Sequence, residues 1–161
     1  MRRYKNMIKV LFVCLGNICR SPMAEFIFKD MIKKQGIEDR FYVRSAATSN
    51  EEKGNPVYPP AKKKLAENGI GCDGKTAVKM TAEDYKNYDY IIAMEKRNVE
   101  NIMKITGGDP DGKIRLLLDY TDRKGDISDP WFTRDFDRAY NDILDGVTGF
   151  LKFLKQGRLY E

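Results

Sequence analysis

The chain contains no histidine. That absence removes imidazole general bases, Ser-His-Asp triads and the common zinc ligand sets at once. Any catalysis must therefore run on cysteine, carboxylate or basic side chains, and no metal or cofactor is expected. Cysteine is scarce too, with only Cys14, Cys19 and Cys72. An odd, sparse set is no disulfide framework and points to a reduced, cytoplasmic setting. Apolar runs long enough to cross a bilayer are missing, so no membrane association is expected. The opening MRRYKNMIKVLFVCLG has the basic head and apolar stretch of a signal peptide, but Lys9 interrupts the run and no small-residue cleavage site follows. Like charges form no large block, and KKK at Lys62–Lys64 is the longest. The 29 basic and 24 acidic residues leave a net charge of +5, enough to favour approach of anions. Without a concentrated basic face or a recognisable binding motif, nucleic acid is not an expected partner.

What is present suits one domain. A chain of 161 residues can bury a core without staples. Residues 1–161 are expected to form a single domain, with Met1–Asn6 as a loose tail and a monomer as the working state. Ile8–Val13, IKVLFV, reads as a buried strand. Pro22 suits the first turn of a helix. Phe26, Ile27, Met31 and Ile32 then recur at helical spacing, and Gly36 ends the segment. Phe41–Thr48 reads as a second strand, Asn50–Pro60 as a loop and AKKKLAENG as a helix stopping at Gly69. Asp89–Met94 is a third strand, followed by a helix to Ile105, and Lys113–Leu118 is a fourth strand. A long loop to Phe132 precedes a final amphipathic helix over Arg134–Gln156, with Ile143, Val147, Phe150, Leu151 and Leu154 on its apolar face. Strands alternating with helices predict a three-layer α/β/α sandwich around a central four-stranded parallel sheet.

The chemistry concentrates in VCLGNICRSP, Val13–Pro22. In an open α/β sheet, ligands bind at the carboxyl ends of strands, where the first strand delivers Cys14. The loop then enters a helix N-terminus, so its backbone N–H groups and the helix dipole form an anion-binding nest. Gly16 and Asn17 tolerate the positive φ angles of such a turn. Arg20 offers a planar fork for two phosphate oxygens. The same positive surroundings favour Cys14 as a thiolate, placed for in-line attack on a held phosphorus. A nucleotide-binding loop is excluded, because the lysine of G-x-x-x-x-G-K-[ST] is missing and a nucleophile is present. A departing alkoxide or phenolate also needs a proton. Without histidine the natural donor is a loop carboxylate, and Asp129, stiffened by Pro130, leads Asp119, Asp122 and Asp126.

VCLGNICRSPMAE resembles the phosphate-binding loop of the low-molecular-weight protein tyrosine phosphatases, which carry C-x-x-x-x-x-R near the N-terminus. SAATS at Ser45–Ser49, YDYIIAM at Tyr88–Met94 and DPW at Asp129–Trp131 continue the likeness, which covers about Ile8 to Leu154. The resemblance implies hydrolysis of protein phosphotyrosine and small aryl phosphates through a phosphocysteine on Cys14. Arg20 would bind the phosphoryl oxygens, and Asp129 would act as general acid, then base. Ser21 would stabilise the thiolate, while Asn17, backed by Ser45, would hold the loop. Leu15 and Ile18 would form the slot floor, with Trp131 and Phe132 stacking on the substrate ring. Phosphoarginine-directed relatives carry threonine where this chain has Ile18. Glu95 would either support the loop or cap the following helix. Inorganic phosphate and other oxyanions would occupy the same loop.

Two departures stand out. Relatives usually place an aromatic on the opposite wall, where this chain has Glu51, a carboxylate that would favour basic flanking residues. Relatives often support the asparagine with a histidine, matched here by Gly74, so the loop is less rigid or another residue takes over. Cys19 is expected either to fill the core or, as in the family, to form a reversible disulfide with Cys14; Cys72 is expected to be structural. Arsenate reduction on the same fold would need further relay cysteines, and Cys72 alone serves poorly. A non-catalytic phosphate-binding module would need neither Cys14 nor Asp129.

Overall fold

The computed structural model describes residues 7–157, so the tail expected at Met1–Asn6 lies outside the described residues. Strand β1 (Ile8–Cys14) shows why its sequence is apolar almost throughout. Ile8, Val10, Phe12 and Cys14 enter one core, whereas Leu11 and Val13 enter a second. A parallel strand covered on both faces has no solvent side to mark with alternating polar residues. With β2 (Phe41–Ala47), β3 (Tyr90–Ala93) and β4 (Ile114–Leu116) it forms a fully parallel sheet of order β2-β1-β3-β4.

Helices cover both faces, giving the three-layer sandwich expected. Packed on the first core are α1 (Arg20–Lys34), α2 (Pro59–Glu67) and α6 (Phe136–Gln156). The other face carries α3 (Asp84–Asn87) and α4 (Lys96–Thr106) through Tyr85 and Ile102. At the centre of the first core, Phe12 meets Phe28 and Phe150 edge-on at 5.9 and 6.4 Å. That geometry suits the ring quadrupoles. The chain leaves β1 toward β2 on one side, then crosses to β3 on the other. β1 therefore opens at the topological switch point, where the carboxyl edge of such a sheet leaves a crevice.

Several boundaries differ from expectation, each for a physical reason. The fourth strand ends at Leu116 rather than Leu118, because Leu117–Tyr120 coil into a 3-10 helix. Leu117 and Leu118 are buried, so they owe their apolarity to packing under α6 rather than to sheet pairing. The loop expected to reach Phe132 instead contains a short helix, α5 (Pro130–Thr133). Arg134, expected to open the last helix, adopts φ +61° and ends α5; α6 begins at Phe136 behind its cap Asp135, which accepts from Arg138 N at 2.9 Å. Helix α3 and a 3-10 helix at Glu38–Arg40 are too short to carry a periodic signal.

Helix α6 approaches the Leu117–Tyr120 turn through two glycines. A Cβ at Gly146 would overlap the Leu117 side chain, and one at Gly149 would overlap the Tyr120 carbonyl oxygen. The second obstacle is backbone and cannot swing aside. Gly149→Ala is therefore expected to destabilise the protein by about 2 kcal/mol or more despite alanine's better helix propensity, as read from urea unfolding midpoints.

Candidate active site

Parallel pairing places Cys14 opposite Ala47 at the carboxyl edge of the sheet. From there Leu15–Cys19 turn back into α1. The turn depends on Asn17, whose φ of +61° lies in the left-handed region that asparagine tolerates better than most residues. Its amide is tied at both ends. Nδ2 donates to Ser21 Oγ at 2.8 Å and to Ser45 Oγ at 2.9 Å, while Oδ1 accepts from Val78 N at 3.2 Å. Gly16 does not adopt the backbone conformation expected of it. It has no positive φ, but a Cβ there would come within 3.3 Å of Glu52 Cγ.

Three polar groups converge on the Cys14 sulfur. The backbone N–H groups of Asn17 and Ser21 lie 3.3 and 3.4 Å away, and Ser21 Oγ lies 3.0 Å away. Arg20 is buried, with its guanidinium fixed from three sides. Nη1 donates to the Ile127 carbonyl at 2.8 Å and pairs with Glu95 Oε2 at 3.4 Å, and Nη2 reaches Asp129 Oδ2 at 3.2 Å. A buried charge without such partners would be costly. The sequence left two roles open for Glu95, and the structure gives it both positions: it pairs with Arg20 and stands at the N-cap of α4. There Asn98 Oδ1 accepts from Glu95 N at 3.0 Å. Asp129 likewise combines two duties, capping α5 by accepting from Trp131 N at 3.0 Å through Oδ1 and facing Arg20 through Oδ2.

Cys14, Asn17, Arg20 and Asp129 line a cleft of about 110 Å³ together with Leu15 and Ile18. Trp131 and Phe132 form one wall, 42% and 74% exposed. At that exposure Trp131 is a wall and not a buried anchor. Glu51 and Glu52 also line the cleft, two carboxylates where the sequence singled out one. Cys19 is 5% exposed beside Ile18 and Ala77. Burial pushes its thiol up to about 12, and the nearby Cys14 and Asp129 charges add to the rise against Arg20 and Arg134. Cys72 lies in the first core, as a structural residue should. Among the described residues, no group of three or more His, Cys, Asp or Glu side chains is arranged to hold a metal ion, and no helix is long and apolar enough to cross a membrane.

Some site residues escaped the sequence reading. Support for the asparagine does not come from Gly74; it comes from Val78 N and, through Ser45, from Glu25 and Lys75. Glu25 had a signal, since Ser21, Glu25, Phe28 and Ile32 share one buried helical stripe, and a carboxylate there needs partners. Tyr58 buttresses Trp131 at 4.8 Å between ring centroids, and its hydroxyl accepts from Arg134 Nη2 at 3.0 Å. Nothing local in sequence links Tyr58, Lys75 or Arg134 to the loop.

Comparison with known proteins agrees with this geometry. Residues 9–158 match the family described as low molecular weight phosphotyrosine protein phosphatase. The low molecular weight protein-tyrosine-phosphatase YfkJ of Bacillus subtilis is 38% identical over 93% of this chain and 97% of its own. The crystal structure of YfkJ superposes with a TM-score of 0.91, covering 94% of this chain and 97% of that one. Low molecular weight protein-tyrosine-phosphatase PtpA of Staphylococcus aureus is 35% identical over 92% of this chain and 94% of its own. The Drosophila arginine phosphatase DARP is 35% identical, with a TM-score of 0.83 over 92% of this chain and 98% of that one. A sulfur ringed by donors at the end of β1, an arginine at the start of α1, and this breadth of similarity all lead to one assignment: the chain belongs to the low-molecular-weight phosphotyrosine protein phosphatases.

Proposed function

We propose that this phosphatase hydrolyses protein phosphotyrosine and small aryl phosphates through a phosphocysteine intermediate. The observation that carries the proposal is the convergence of two backbone N–H donors and the Ser21 hydroxyl on the Cys14 sulfur, in the same cleft as the Arg20–Asp129 pair. Donors aimed at sulfur stabilise negative charge on it and so favour the attacking thiolate. Arg20 offers its fork to the equatorial oxygens as charge redistributes. Cys14 attacks phosphorus in line with the departing phenolate, which Asp129 protonates as it leaves. Water, deprotonated by the same carboxylate, then attacks the phosphocysteine, releases inorganic phosphate and returns the thiolate. The aromatic pair Trp131 and Phe132 supplies a face for the substrate ring.

The Drosophila relative raises phosphoarginine as a second substrate class. Ile18 favours the tyrosine reading, given the threonine that the family resemblance associates with phosphoarginine. A non-catalytic module would leave the Cys14 donors and Asp129 without a task, and arsenate reduction lacks a relay because Cys72 is enclosed in the core.

Wild type should hydrolyse aryl phosphates and phosphotyrosine peptides in the presence of chelator, and phosphoarginine peptides far more slowly. Cys14→Ser should abolish turnover, and full activity in it would end the proposal. Asp129→Asn should slow substrates with poor leaving groups by about 100- to 10,000-fold and activated ones much less. A second outcome concerns Glu51 and Glu52. Peptides with Lys or Arg beside the phosphotyrosine should be preferred about threefold over acidic ones at low salt, and Glu51→Ala should narrow the gap. Turnover indifferent to flanking charge would remove that role. The third outcome is redox: peroxide inactivation should be reversed by added thiol through a Cys14–Cys19 disulfide. Cys19→Ser, which cannot form that bond, should recover less. Peptide mapping would identify the bond.

A further inference from the structure

A lysine with no part in the reaction just described lies half-buried behind the loop. Lys75 keeps only 11% of its side chain exposed, donates to the Ser45 carbonyl at 2.9 Å and lies 3.9 Å from Glu25 Oε1. Glu25 is itself 2% exposed and pairs through its other oxygen with Lys29 at the edge of the core. Burying an ammonium against a main-chain carbonyl is costly and calls for a return elsewhere.

The return lies in the direction of the hydrogen bonds. Val78 N–H donates to Asn17 Oδ1, which settles the orientation of that amide. Both hydrogens of Asn17 Nδ2 therefore point into the oxygens of Ser21 and Ser45. Ser45 has its own hydrogen committed to Glu25 Oε1 at 2.6 Å, because a carboxylate can only accept. Ser21, with its oxygen accepting from Asn17, is left to donate. Its nearest acceptor is Cys14 Sγ at 3.0 Å, with the Ala46 carbonyl at 3.4 Å as the weaker alternative. A proton aimed from Ser21 to sulfur is the arrangement that favours thiolate.

We propose that Lys75 is a positioning residue for Cys14: its ammonium, bonded to the Ser45 carbonyl and 3.9 Å from Glu25 Oε1, keeps the carboxylate where the Ser45 hydroxyl donates to it, and so maintains the relay Glu25–Ser45–Asn17–Ser21–Cys14. Without it, the only cation left on Glu25 is the partly exposed Lys29, which draws the carboxylate outward and weakens its hold on the Ser45 hydroxyl. The charged groups facing Lys75 are Glu25 and Lys29 from α1, Cys14 from β1 and Arg44 from β2. Burial pulls its ammonium below the usual lysine range, with Lys29 and Arg44 adding to that pull and Glu25 and Cys14 opposing it. This proposal rests on Cys14 being the nucleophile, but its readout does not require turnover.

The test is the rate at which iodoacetamide alkylates Cys14 at neutral pH, followed by peptide mass. Burial raises both other thiols, Cys19 to about 12, so the Cys14 label is separable. Lys75→Met should slow alkylation and lower kcat together by about three- to tenfold, with KM for an aryl phosphate unchanged. Lys75→Arg, which keeps the charge, should recover most of the loss. Cys14 alkylated at the wild-type rate in Lys75→Met would overturn the proposal, as would an arginine variant as slow as the methionine one. Should Lys75→Met fail to fold, Glu25→Gln carries the same expectation, and a wild-type alkylation rate in it is equally fatal. Failure of the phosphatase reading would show separately, as absent aryl phosphate hydrolysis with the alkylation contrast intact.

Discussion

The site depends on keeping weak donors aimed at one sulfur atom. Hydrogen bonds to sulfur are long, between 3.0 and 3.4 Å here, and a single such bond directs little. Their convergence is imposed by the rigid parts they hang from. β1 holds Cys14 in register with Ala47, α1 carries Ser21 in its first turn, and the left-handed Asn17 closes the distance between them. Each piece is anchored in a core on at least one side. The loop is therefore less a flexible connection than a corner of the framework, consistent with the preorganisation that electrostatic catalysis requires.

Arg20 extends that framework across the cleft. Its guanidinium is almost wholly withdrawn from water, yet it is held by a carbonyl and two carboxylates from elements distant in sequence. The N-terminus of α1, the end of β3 with α4, and the segment before α5 all meet at this one cation. In the relay behind the sulfur the same logic recurs with Glu25 at its centre, where a buried carboxylate makes neighbouring hydroxyls choose a direction.

Much of this was legible from residues alone because it is local. The strand that ends in Cys14, the loop types Gly-Asn and the arginine opening a helix all lie within one short window, and the four parallel strands follow from alternating periodicities. The β4 boundary was misread because three consecutive leucines look alike whether a neighbouring strand or a helix such as α6 covers them. The positive φ expected at Gly16 is absent, and the approach of Glu52 to it leaves no local trace in the sequence. Lys75 was invisible for the same reason. Its significance comes from a side chain of α1 and a carbonyl of β2, which only the folded sheet brings together.

The two oxygens of Asp129 are not equivalent, and this ties the chemistry to the shape of the pocket. Oδ1 is engaged by the Trp131 N–H, while Oδ2 points to Arg20. Held between the Trp131 N–H and the Arg20 guanidinium, the carboxylate cannot rotate without breaking the cap of α5. That cap also sets where the indole stands. The carboxylate and the aromatic wall consequently share one short helix and its cap, so a displacement of Asp129 bears directly on where Trp131 stands.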